Sequence, residues 1–133
     1  MAERPRLEPE LVKDFVGAAH ADRARIRELV GREPALANAA WDWGGGDFES
    51  ALGAAAHMGR RDIAHFLLER EARMDIFAAA MLGELAIVEA MLRAVPRARG
   101  WRGPHGISLL RHAEAGGSEA LGVVELLRSL GAA

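Results

Sequence analysis

Two stretches of one short chain, AAAHMGRRDIAHFLL at 54–68 and AAAMLGELAIVEAML at 78–92, carry nearly the same order of residues. Each runs through alanines and a glycine to aliphatic residues spaced three and four apart. A chain that repeats itself on this scale folds as a row of like units, because so small a unit cannot bury its apolar face alone. The aliphatic spacing marks one face of a helix. The alanines favour helix and let a neighbouring helix approach closely, since nothing larger than a methyl group intervenes. Glycine between the two runs can take a positive φ and reverse the chain. Each copy therefore predicts two antiparallel helices joined by a tight turn.

Weaker copies flank these two. Taking the second alanine of each pair, or its equivalent, as an anchor gives Ala19, Ala56, Ala80 and Ala113. Three residues on stand Asp22, Gly59, Gly83 and Gly116. Seven on stand Ile26, Ile63 and Ile87, with Ala120 in the last copy; eleven on stand Val30, Leu67 and Met91, with Leu127 if that copy carries three extra residues. Half of the 133 residues are hydrophobic, yet only 5% are aromatic, and runs of β-branched residues are few. That composition suits packed helices rather than strands, so the expected class is all-α within a single domain, 1–133.

The pattern resembles the ankyrin repeat, a unit of about 33 residues with a T-P-L-H-x-A-A opening, a turn glycine, a V-V-x-x-L-L second helix and a G-A-D-x-N exit. In the best copy, 49–75, Ser50, Ala51 and Leu52 stand for T-P-L, and Ala55 and Ala56 are the alanine pair. Gly59 is the turn, Ile63 the first valine, and Leu67 and Leu68 the leucine pair. Glu71, Ala72, Arg73 and Asp75 occupy the exit and keep only its alanine. The resemblance covers roughly 10–132 and implies a solenoid of about four helix-turn-helix repeats, near 10–40, 48–75, 76–100 and 105–132. Degenerate end copies fit capping repeats, one face of which meets water.

The anchors are unevenly spaced: Ala19 to Ala56 is 37 residues, Ala56 to Ala80 is 24, and Ala80 to Ala113 is 33. In the family, the connection between repeats projects as a hairpin finger. The long spacings leave room for fingers at 38–48 and 96–106, whereas the short one predicts a missing finger between repeats two and three. Trp41, Trp43 and Trp101 all fall in the two fingers. Each tryptophan is either an anchor for a partner or a wedge that packs on the alanine-rich helices. The resemblance also places His20, His57, Met58, Met81 and Leu82 on the concave face, the last four beside the gap and uncovered by a finger.

Catalytic and metal motifs are absent from the linear pattern. His20, His57, His65, His105 and His112 form no HExxH and no i, i+4 pair on one helix, so no metal and no cofactor are expected. WGGGD at 43–47 lacks the lysine and the helix of a phosphate loop and reads as a hairpin turn. The serines lack nucleophile surroundings; Ser118 reads as a helix N-cap. A net charge of −2 argues against nucleic acid, despite the basic RARGWR at 97–102. The longest apolar run, IFAAAML, is too short to span a bilayer, no secretory signal is evident, and cysteine is lacking. The expectation is a cytoplasmic protein without catalytic activity, a monomer or weak homo-oligomer, that binds another protein. Its contact residues would be Asp42, Trp43, His57, Met58, Met81, Trp101 and Arg102. The alternative is a small-ligand pocket or enzyme site at the missing finger, using His57 and His105.

Overall fold

The computed structural model describes residues 3–133 and is mostly helical, with one two-stranded sheet. Among these residues are eight α-helices: α1 (Pro9–Ala18), α2 (Arg23–Arg32), α3 (Ala51–His57), α4 (Arg61–Glu69), α5 (Ile76–Leu82), α6 (Leu85–Ala94), α7 (Leu109–Ala115) and α8 (Leu121–Ser129). Strands β1 (Ala40–Asp42) and β2 (Phe48–Ser50) pair antiparallel, with Trp41 opposite Glu49. None of the helices is long and apolar enough to cross a membrane.

The helices begin where short polar side chains can hold their free N–H groups. Asp22, Ser50, Asp75 and Ser108 cap α2, α3, α5 and α7, each accepting from the backbone N–H three residues on. Gly59 (φ 67°) and Gly83 (φ 77°) make the reversals after α3 and α5. In the fourth pair the structure departs from expectation. The positive φ falls on Gly117, not Gly116, and Ser118 lies in a 3-10 turn, Gly117–Ala120, leaving α8 without a side-chain cap. Gly116 is needed for closeness instead: a Cβ there would collide with the Met81 carbonyl oxygen.

The four helix pairs pack side by side. Among the first helices, α1 meets α3, α3 meets α5 and α5 meets α7; behind them α2 meets α4 and α6 meets α8. Helix α5 is apolar all round because it is buried on two sides. Ala78, Met81 and Leu82 join the core of the first two pairs, while Ile76, Ala79 and Ala80 join that of the last two. Helices α3 and α7 also touch directly, so the third pair sits as a wedge. The arginines of the GRR turn tie neighbours together. Arg60 donates to the Ala21 carbonyl of the preceding turn, and Arg61 donates to the Met81 and Leu82 carbonyls that end α5.

The connections follow the uneven spacing. A hairpin links the first two pairs, and a second extended loop, Trp101 to Leu109, links the last two through an Arg102–Ser108 bridge. Between α4 and α5 the chain passes with no projection. Asn38 braces that short link, its amide donating to the Glu71 carbonyl and accepting from the Arg73 N–H.

Candidate functional site

The expected contact residues separate into four groups. Met81 is completely buried, and Leu82 nearly so; neither is available beside the gap, because α5 is enclosed by both halves of the core. Asp42 serves its own hairpin, its carboxylate accepting from the Gly44 and Gly46 N–H groups. Arg102 donates to the Gly106 carbonyl and remains exposed, and Met58 and Trp101 are 49% and 39% exposed. Trp41 packs on the core from its half-buried place on β1. Trp43 and His57, by contrast, meet at a junction that linear spacing did not reveal.

The junction is centred on Glu49. Strand alternation turns Phe48 and Ser50 to one side and Glu49 inward, where its side chain is wholly buried. A buried carboxylate requires partners, and four come from four places. Trp43, beyond β1, donates its indole N–H to Oε1 at 2.8 Å. His57, the last residue of α3, places Nε2 3.0 Å from Oε2. His20, in the turn after α1, places Nε2 3.2 Å from Oε1, and His105, at the tip of the second loop, places Nε2 3.3 Å from Oε2. Burial alone would raise the Glu49 carboxyl. The His57 and Trp43 hydrogen bonds, with the fields of His20 and His105, outweigh it and hold the group below the usual carboxylate range.

A second carboxylate ties the two loops together. Asp47 accepts the His105 backbone N–H at 2.8 Å and faces its Nδ1 at 2.9 Å, contacts that span 58 residues of chain. The backbone hydrogen bond is the main reason the Asp47 carboxyl is also held low. His105 adopts a left-handed conformation (φ 61°) to present both groups. On the other flank, His20 Nδ1 lies 3.0 Å from the Gly17 carbonyl. One ligating atom from each of His20, Glu49, His57 and His105 lies within 4.8 Å of the others, so these four residues could together hold a metal ion.

Next to the junction an open groove of about 520 Å³ runs along α7, lined by His57, Arg102, Ser108, Arg111 and Glu114 among others. Among the described residues neither Arg102 nor Arg111 pairs with a carboxylate. Below it His112 is fully buried, with Nδ1 2.7 Å from the Ser108 carbonyl and Nε2 without a partner. It packs against Phe77 and under Gly103. Burial pushes its pKa down, helped by nearby His57 and opposed by the Ser108 carbonyl, Asp75 and Glu49, so folding favours the neutral ring. The unfolded chain then binds the extra proton more readily, and His112's contribution is lost as pH falls through the unfolded value of 6.5. From pH 7.5 to 5.0, urea titrations are expected to show the wild type losing up to about 1.4 kcal/mol per pH unit more than His112→Leu. Parallel pH slopes for the two would contradict this.

Comparison with family models, curated proteins and solved structures gives no match to this chain.

Proposed function

We propose that this chain is an ankyrin-type repeat array of four units that binds another protein through its finger side. Several features support the fold half of the reading. Four antiparallel pairs follow one another, two glycine reversals fall at the family's turn position, and extended loops join pairs one to two and three to four. At the position of the family's exit glycine, Glu71 takes φ 69°, a left-handed conformation that glycine adopts without strain.

The observation that carries the binding half is the exposure of large apolar side chains on loops held rigid by a buried junction. Trp43, Phe48 and Trp101 stand on the two fingers, and Met58 closes α3 beside them. A surface fixed in advance loses little freedom on binding. The unpaired Arg102 and Arg111 favour a partner segment that brings a carboxylate beside its apolar anchor. The reading makes the protein a cytoplasmic recognition module rather than a catalyst, and a monomer or weak homo-oligomer.

The test is capture with wild-type bait beside a folded Met58→Ala, Trp101→Ala, Arg111→Glu bait, and beside His65→Ala on the exposed side of α4 as control. At least tenfold loss of one specific partner with the triple variant alone is expected. Equal capture by all three baits would overturn the assigned surface.

A second reading, a small-ligand site using His57 and His105, is favoured by one observation: the rings stand 5.3 Å apart over the same carboxylate. That site lies beneath the two fingers, not at the gap between the second and third pairs.

A further inference from the structure

We propose that His20, His57 and His105, through their Nε2 atoms, and Glu49, through its carboxylate, bind one divalent transition-metal ion, with Zn²⁺ the best match. The spacing suits such an ion. Zinc bonds to nitrogen and oxygen of about 2.0–2.1 Å place the ligand atoms of a tetrahedral site about 3.3–3.4 Å apart. The three Nε2 atoms lie 3.2, 3.0 and 3.3 Å from Glu49 oxygens, His20 at one oxygen and His57 and His105 at the other. The four ligating atoms, within 4.8 Å of one another, would draw together on the ion.

The arrangement of protons points the same way. The Gly17 carbonyl can only accept, so Nδ1 of His20 carries the hydrogen of that contact; the Asp47 carboxylate likewise fixes the hydrogen on Nδ1 of His105. In a neutral imidazole Nε2 then bears a lone pair, and both lone pairs face carboxylate oxygens. Acceptor against acceptor is repulsive unless positive charge stands between. Ring protons on His20 and His105 supply it when no ion is bound, at the cost of crowding like charge, on rings with centroids 5.1, 5.3 and 6.2 Å apart, around one carboxylate. One divalent ion answers both lone pairs at once and takes the Nε2 of His57 in place of its hydrogen bond to Glu49, and Glu49 with Asp47 balances its charge.

The outer contacts are those that orient metal ligands. A backbone carbonyl holds His20, a carboxylate holds His105 and the Trp43 indole holds Glu49, each fixing a ligand's direction or basicity. Three imidazoles with one carboxylate favour zinc and its first-row neighbours over calcium or magnesium, which take mostly oxygen. His20 and His105 are 25% and 33% exposed, which leaves the ion a path in from water. Bound there, it would fasten both fingers to α3 and to the turn after α1.

The test uses the full chain, stripped with a chelator and dialysed, then titrated with Zn²⁺ and with Co²⁺ and no partner present. One equivalent of either ion, a four-coordinate Co²⁺ absorption spectrum, and a Zn²⁺-dependent rise in the melting temperature are expected. His57→Gln and His20→Gln should weaken uptake at least 100-fold, Asp47→Asn 10- to 100-fold, and His65→Gln not at all. Circular dichroism reports whether each variant folds. The Co²⁺ spectrum of the unsubstituted chain needs no variant, and a six-coordinate spectrum or no stoichiometric uptake there overturns the proposal. Equal uptake by folded His57→Gln and His20→Gln overturns it too. Because the ion binds the chain alone, failure of the partner-binding reading leaves this result untouched.

Discussion

Replacing Gly83 with alanine is expected to cost roughly 3 kcal/mol or more of folding stability, far beyond a helix-propensity effect. Two costs add. Gly83 sits at φ 77°, where a Cβ is strained by about 1–2 kcal/mol. The new methyl would also lie inside van der Waals contact of the Glu119 carbonyl oxygen and 3.3 Å from Cα of Ala120, both backbone atoms that cannot swing away. Overpacking of this kind costs about 1–3 kcal/mol. Gly131→Ala separates the two causes. Gly131 has nearly the same φ, 78°, but open space around its would-be Cβ, so it should lose only the strain. Denaturant midpoints of the two variants check this, and equal losses would mean that the third turn does not press on the fourth pair.

Glu49→Leu is expected to be as damaging, for an electrostatic reason. The leucine would leave the Trp43 N–H and three imidazoles converging on an apolar group, and removing one partner from a buried charged cluster costs about 3–5 kcal/mol. Glu49→Gln keeps the shape and one acceptor and should lose clearly less. The comparison is made by urea unfolding in chelator, so that it reports the protein groups alone. A loss below about 1 kcal/mol for the leucine variant would show that the carboxylate is solvated in solution.

Helix and turn positions were legible because they depend on local chemistry. The alanine runs, Gly59, Gly83 and the aliphatic faces of α2 and α4 fix the pairs without reference to anything distant. In α6, by contrast, the expected core residues Ile87 and Met91 are exposed, and Val88 and Leu92 are buried in their place. The 24-residue interval likewise predicted a direct link between α4 and α5, and the chain makes one. Burial of Met81 was not legible: a position on the concave face is open only if the stack is gently curved, and here α3 and α7 meet across α5. The junction was hidden for a related reason. Its histidines lie at 20, 57 and 105, one at the close of a helix, one in a turn and one on a loop tip, so no fixed interval links them. Glu49 gave one faint signal, a carboxylate between Phe48 and Ser50 on an alternating strand beside a tryptophan-rich turn.

The contact of α3 with α7, together with the grip of Asp47 on His105, limits how this architecture can change in length. An open row of repeats accepts a duplicated unit anywhere, because each unit knows only its neighbours. Here the second and fourth helix pairs also touch each other, across a third pair that a short link joins to the second. A unit inserted on either side of α5 would pull the two fingers apart and strand Glu49 without His105. Growth by duplication is therefore confined to the outer flanks, before α1 or after α8, and the middle of the chain is closed to it.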